Sequence, residues 1–302
     1  MRLLKGKSGR VTVLAFSPDG KTLAAGTYLR LDVWDVAAGT VDSAEMVYWA
    51  ALPGSLRFDP KGRHLLLGVG SNGGVRVINP RTWGVQEAGK FDSNLVAVSP
   101  TGLVLAAGGR IAAFGLTAKG LGPRKWAKSL SPDILEGLDF YPDGKRFVTV
   151  ERHFVRGARN EWQVVVRVRV RDAGSGLVLH SAPSSGEVGG QPSVSPDGAS
   201  VAYAAEKFVI VHHGGDVTRF VKVPNATKKP VTGVAFHPTG RFLAVASGDT
   251  TVRFHDRDAN WAVAKTFDWQ VRGLKSVAFS PDGTLAAAGG EKGQVVLWDV
   301  DA

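Results

Sequence analysis

Ser17-Pro18-Asp19-Gly20 is one of seven versions of a single four-residue phrase in this chain. The others are Asp59-Pro60-Lys61-Gly62, Ser99-Pro100-Thr101-Gly102, Tyr141-Pro142-Asp143-Gly144, Ser195-Pro196-Asp197-Gly198, His237-Pro238-Thr239-Gly240 and Ser280-Pro281-Asp282-Gly283. Proline presets φ for the first corner of a tight turn, and glycine accepts the positive φ that ends it. The prolines recur every 40–43 residues, apart from one step of 54 between Pro142 and Pro196.

Large apolar residues stand two and four places before most of these prolines, as in Leu14 and Phe16, Leu138 and Phe140, or Val277 and Phe279. The place between is mostly small: Ala15, Ala97, Ser193, Ala235 and Ala278. A period of two reads as a strand with one bulky face and one closely packed face. Second strands follow the turns, for example Thr22 to Ala25, Leu65 to Gly68 and Leu103 to Ala107. Third strands come next, as in Val252-Arg253-Phe254 and Val295-Val296-Leu297, and polar, variable segments supply a fourth. A fixed period of roughly 40–45 residues with four short strands is the unit of a propeller. The expected fold is all-β: a seven-bladed β-propeller, four antiparallel strands per blade, in one domain over residues 1–302.

The last repeat ends after its third strand, whereas residues 2–7 precede the first strand of blade 1 and belong to no other unit. They are therefore predicted to pair with residues 294–300 as the outer strand of blade 7. Arg2, Lys5 and Lys7 suit an exposed edge, because charge discourages further strand pairing.

Trp34-Asp35 and Trp298-Asp299 close third strands. With the turns and the period, the chain resembles the tryptophan–aspartate (WD) repeat family over essentially its whole length. The tryptophan place is taken by Ile78, His212 and His255 in other blades, and blades 3 and 4 align poorly there. Asp249 keeps the family's aspartate six places before that position, where blade 7 has Lys292. The resemblance implies a buried polar network in each blade, which most blades here lack the residues to build. It also implies a partner-binding face formed by the turns between second and third strands and by the connections entering each first strand.

The 302 residues include no cysteine, which excludes disulfides and thiolate metal sites, and no apolar run is long enough to span a membrane. The opening Met1-Arg2-Leu3-Leu4-Lys5-Gly6 lacks a secretory signal, so a cytoplasmic monomer is expected. Gly68-Val69-Gly70-Ser71-Asn72-Gly73 matches a dinucleotide fingerprint, but strand-like Val75-Arg76-Val77-Ile78 follows it where a helix is required. Asn72-Gly73 reads instead as a hairpin turn. His212-His213 point to opposite faces of a strand and cannot share an ion. No catalytic, cofactor-binding or metal-binding residues are assigned.

The net charge of +10 bears on association and solubility. The long step falls in blade 4, where residues 146–171 read as an extended hairpin. Its tip carries Arg156, Arg159 and Trp162, and Arg167, Arg169 and Arg171 alternate with valines along the returning strand. The same rim is expected to include Lys7, Arg10, Tyr28, Trp49 and Arg110. Lys228, Lys229, Trp269 and Arg272 complete it. The leading reading is a non-catalytic scaffold whose rim binds a protein partner, acidic by charge complementarity. The alternatives are a nucleic-acid-binding propeller using basic and aromatic rim residues, and an enzyme working at the central channel.

Overall fold

The computed structural model describes residues 1–7, 9–27, 30–45, 55–70, 74–88, 93–130, 133–156, 160–184, 190–215 and 217–301. The strands form seven four-stranded antiparallel sheets, the blades. Their inner strands are Val13–Phe16, Leu56–Phe58, Leu95–Val98, Ile134–Phe140, Ser193–Val194, Val231–Phe236 and Ser276–Phe279. Six sheets follow chain order from the inside outward. The last begins at Ser276–Phe279, continues through Leu285–Gly289 and Gln294–Asp299, and is completed by Arg2–Lys5.

That closing strand runs antiparallel to the chain's end, with Arg2 opposite Leu297 and Lys5 opposite Gln294. Arg2, Leu3 and Lys5 are exposed, whereas Leu4 packs among Trp34, Val295 and Leu297. The predicted seam is therefore present, with the strand ending at Lys5 instead of residue 7.

Apolar packing joins the blades in a circle. Each core cluster draws on two consecutive blades, from Leu31 against Leu56 between blades 1 and 2 to Leu14 against Leu297 between blades 1 and 7. Alternation explains the division: Ala15 faces blade 2, while Leu14 and Phe16 face blade 7. The alanines of second strands, such as Ala24, Ala25 and Ala286 to Ala288, are fully buried, so sheets approach closely there.

The turn phrase is a small hydrogen-bonded unit. Ser17 Oγ donates to Asp19 Oδ1 at 2.5 Å and accepts from the Thr22 amide at 2.9 Å. Ser195 with Asp197 and Ser200, and Ser280 with Asp282 and Leu285, repeat it. Gly62 adopts φ 65°, and a Cβ there would lie 3.5 Å from the Pro18 ring, so the turns of neighbouring blades touch edge to edge.

Strand pairing identifies the residues that stand in the tryptophan place. Leu23 pairs with Trp34, Val201 with His212 and Leu243 with His255. The equivalent pair in blade 4 is Phe147 with Arg171. In blade 3 the turn is one residue shorter, since the Ser99 amide donates to the Leu103 carbonyl where the Ser17 amide donates to that of Thr22, and Val104 pairs with Phe114. An arginine and a phenylalanine in that place account for the poor alignment of these two blades.

Candidate partner-binding surface

Blade 4 consists of Ile134–Phe140, Arg146–Arg156, Trp162–Asp172 and Val178–Pro183. Its second and third strands pair without interruption from Arg146 opposite Asp172 to Arg156 opposite Trp162. Their neighbours stop earlier, the inner strand at Ile134 opposite Arg152 and the outer at Pro183 opposite Arg167. Residues 153–156 and 162–165 thus form a two-stranded ribbon with no further strand beside it among the described residues.

Side chains alternate across this ribbon. The cross-strand pairs Phe154–Val164 and Arg156–Trp162 share one face. Trp162 is 67% exposed, Val164 51% and Phe154 39%. The Arg156 guanidinium lies 5.6 Å from the centre of the Trp162 ring, within cation–π range. Arg156 and Trp162, both picked out from the sequence, are thereby brought together. Arg159 lies outside the described residues.

The base of the hairpin is tied down by charge. Glu151 is fully buried and accepts from Arg171 Nη2 at 2.7 Å, from Arg169 Nη1, and from Thr149 Oγ1 at 2.6 Å. Asp133 stands 2.5 Å from His153 Nδ1 and 3.6 Å from Arg169, and Arg152 pairs with Glu136. The three alternating arginines are therefore not a displayed row: Arg167 is exposed, but Arg169 and Arg171 turn inward to neutralise Glu151. Sequence reading missed this because Glu151 faces them across the ladder, 18 and 20 residues away in the chain. Asp133, Glu151 and His153 have ligand atoms within 4.8 Å of one another. Two guanidiniums already hold Glu151, so a cation would have to displace them, and the donor set does not suit a metal.

Blade 6 keeps a second polar network. Asp249 accepts from Thr227 Oγ1, Thr251 Oγ1 and Arg253 Nη2 at 2.8, 2.6 and 3.0 Å. Burial opposes its charge, but these donors hold the carboxyl well below the ordinary carboxylate range. Blades 4 and 6 thus each hold a carboxylate bound by several side-chain donors.

Antiparallel pairing places the connections into inner strands, and those from second to third strands, at one end of the blades. Lys7, Arg10, Arg110, Lys228, Lys229 and Arg272 all lie there and are exposed. Arg10 pairs with Glu291 at 3.0 Å. Trp269 is half-buried, stacked on Phe267 at 5.6 Å and tilted against Trp298 at 5.8 Å, so its ring serves packing between blades 6 and 7. Tyr28 and Trp49 lie outside the described residues.

Sequence comparison agrees with this architecture. The family described as "WD domain, G-beta repeat" matches residues 1–35, 212–256 and 263–299. This chain is a seven-bladed propeller that carries WD repeats.

Among related WD-repeat sequences, an uncharacterized WD repeat-containing protein of Synechocystis sp. is 30% identical over 157 residues, 52% of this chain and 41% of that protein. The periodic tryptophan protein 2 homolog of Mus musculus is 33% identical over 98 residues, 32% of this chain and 11% of that protein. The matches span well under half the length of these relatives. Among solved structures, Kuenenia stuttgartiensis hydrazine synthase superposes with a TM-score of 0.77 at 16% identity, covering 98% of this chain and 97% of that one. That likeness concerns the fold alone. WD-repeat propellers typically act as protein-interaction scaffolds, and no helix among the described residues is long and apolar enough to cross a membrane.

Proposed function

We propose that this chain is a non-catalytic scaffold that captures an acidic protein segment on the projecting ribbon of blade 4. The observation that carries this reading is the face made by Phe154, Arg156, Trp162 and Val164, where an exposed indole sits under a guanidinium next to the exposed pair Phe154–Val164. Tryptophan and arginine dominate the energetics of protein interfaces, and an exposed apolar patch rimmed by charge marks an interaction site. The polar network at Glu151 holds the ribbon's base, so little ordering is needed on binding. Lys7, Arg110, Lys228, Lys229 and Arg272 supply a positive field that speeds the approach of an acidic partner.

The test is selection of a displayed peptide library on the whole chain, followed by affinity measurement with Trp162→Ala and Arg156→Ala. Enrichment of Asp- and Glu-rich peptides carrying an apolar anchor, with binding weakened at least about tenfold in each variant, is expected. Peptides that bind both variants as well as the parent would remove the ribbon from the reading. Oligonucleotide binding in place of peptide binding, weakening steeply as salt rises, would favour the nucleic-acid alternative.

A further inference from the structure

The inner-strand position three residues before each turn proline is small in blades 1, 3, 5, 6 and 7, where it is Ala15, Ala97, Ser193, Ala235 and Ala278. Blades 2 and 4 depart from the pattern with Arg57 and Asp139. Both side chains line a cavity of about 330 Å³ at the axis of the ring, walled by the inner strands of blades 1, 2 and 4 to 7. Phe16, Phe58, Val234, Val277 and Phe279 make much of the wall apolar, and Lys275 and Gln191 stand in it.

Asp139 is held in place by backbone. Its Oδ2 accepts from the Val194 amide at 3.1 Å and its Oδ1 from the Phe140 amide at 3.0 Å. One blade further on, Ser193 Oγ accepts from the Phe236 amide at 3.1 Å. A hydroxyl therefore suffices for that structural bond, and the charge of Asp139 is surplus to it. Arg57 donates from Nη1 to the Leu56 carbonyl at 2.8 Å, and no ion pair joins it to Asp139 among the described residues. Burial pushes the Arg57 guanidinium down and the Asp139 carboxyl up from their ordinary pKa values, each partly offset by the other's charge. Gln191 donates from Nε2 to the Leu138 carbonyl, while its Oε1 has no partner. Charges kept apart in a poorly solvated space cost stability, and Ser193 shows that a neutral side chain meets the structural need at the equivalent place. Local departures of this kind concentrate at functional sites.

We propose that the axial cavity binds a small zwitterion with an apolar body, of the α-amino acid class. The carboxylate meets Arg57, with Lys275 adding to the positive side of the site. The ammonium group meets the acceptor sites of Asp139 that the backbone leaves open, and Gln191 Oε1 offers a further acceptor. The apolar body lies against Phe16, Phe58 and Phe279. A volume of about 300 Å³ is at the lower end of small-molecule sites, which suits a ligand of this size.

The experiment is titration calorimetry of the full chain with phenylalanine and leucine. Phenethylamine and 3-phenylpropionate, which carry only one of the two charges, serve as comparators. Saturable binding with a Kd near or below about 1 mM is expected for at least one amino acid, and binding at least about tenfold weaker for each comparator. Arg57→Met and Asp139→Asn should each abolish it. Because those variants alter buried groups, Ala235→Leu supplies an independent check: Ala235 lines the cavity where it borders the core between blades 6 and 7, so the added bulk narrows the site with both charges in place and should abolish binding while the melting temperature shows the ring intact. Absence of saturable binding, or binding that survives Asp139→Asn or Ala235→Leu, would overturn the proposal. So would 3-phenylpropionate binding more tightly than phenylalanine, which would mark a simple carboxylate site.

Discussion

Arg171 Nη1 donates to the carbonyl oxygen of Gly176 at 3.1 Å. In the next blade His212 Nδ1 reaches the carbonyl of Val217 at 2.5 Å, and in blade 6 His255 Nδ1 reaches that of Trp261 at 2.8 Å. These three residues share the place held by tryptophan in blades 1 and 7. What they share is a buried N–H aimed at the turn between third and outer strands, which would otherwise leave a carbonyl unsatisfied.

For His212 this geometry makes stability depend on pH. Burial pushes its pKa down to about 4, only partly offset by the Val217 bond, and its Nε2 stands 2.8 Å from the Tyr203 hydroxyl. The folded pKa lies below the unfolded value of about 6.5, so the unfolded chain binds the proton more readily between the two. Stability is present above pH about 6.5 and is lost as pH falls toward 4, by roughly 3 kcal/mol. Denaturant melts at pH 7, 6, 5 and 4 should show this slope, and His212→Phe should flatten it while lowering stability at pH 7. An equal slope in the variant would assign the loss to other groups.

Glu151 is the sole buried anion contacting both Arg169 and Arg171 among the described residues. Glu151→Ala leaves both guanidiniums without it and should cost about 3–5 kcal/mol in chemical denaturation. Glu151→Met combined with Arg171→Met, which removes both ends of the closest pair, should cost less than the single change.

The seam can be weakened at one methyl cluster. Leu4 is 5% exposed and packs against Trp34 and Leu297. Leu4→Ala should destabilise the ring by about 2–4 kcal/mol. Leu3→Ala, at an exposed place on the same strand, should change stability by less than about 0.5 kcal/mol. Comparable losses at both positions would show that the strand's own pairing, and not its buried side chain, holds the ends together.

Ser195→Ala tests the turn unit. Ser195 Oγ donates to Asp197 and accepts from the Ser200 amide, at 2.5 and 2.8 Å. Burial pushes the Asp197 carboxyl up, but hydrogen bonds from Ser195 and the Ala199 amide, with Arg257 nearby, hold it at about 2. Without the hydroxyl its pKa should rise toward the ordinary carboxylate value, measurable by NMR titration, with about 1–2 kcal/mol lost.

The ring was legible because the turn residues act locally. Ser17, Asp19 and Gly20 complete their bonds within a few positions, so the phrase means the same in every blade. The extended hairpin was legible for a similar reason, as a surplus between two strand patterns. Long-range polar partners were not. Arg169 and Arg171 read as displayed until Glu151 is placed opposite them. Arg57 and Asp139 are exceptions to a small-residue position whose meaning depends on two other blades meeting at the axis. The signal was in the sequence, as two opposite charges in one repeat position, but only the ring shows that they look into the same space.

Among the strands of the ring, the one that completes the final sheet comes before all the others in the chain. Leu4 has no native neighbour in its own sheet until Val295 and Leu297 have been made, so the circle cannot close while the ribosome is still building blade 7. Six blades can assemble in order as they emerge, whereas the strand Arg2–Lys5 must wait without its sheet partner until blade 7 has been made. Its charged residues, Arg2 and Lys5, guard it against pairing with the wrong neighbour during that interval.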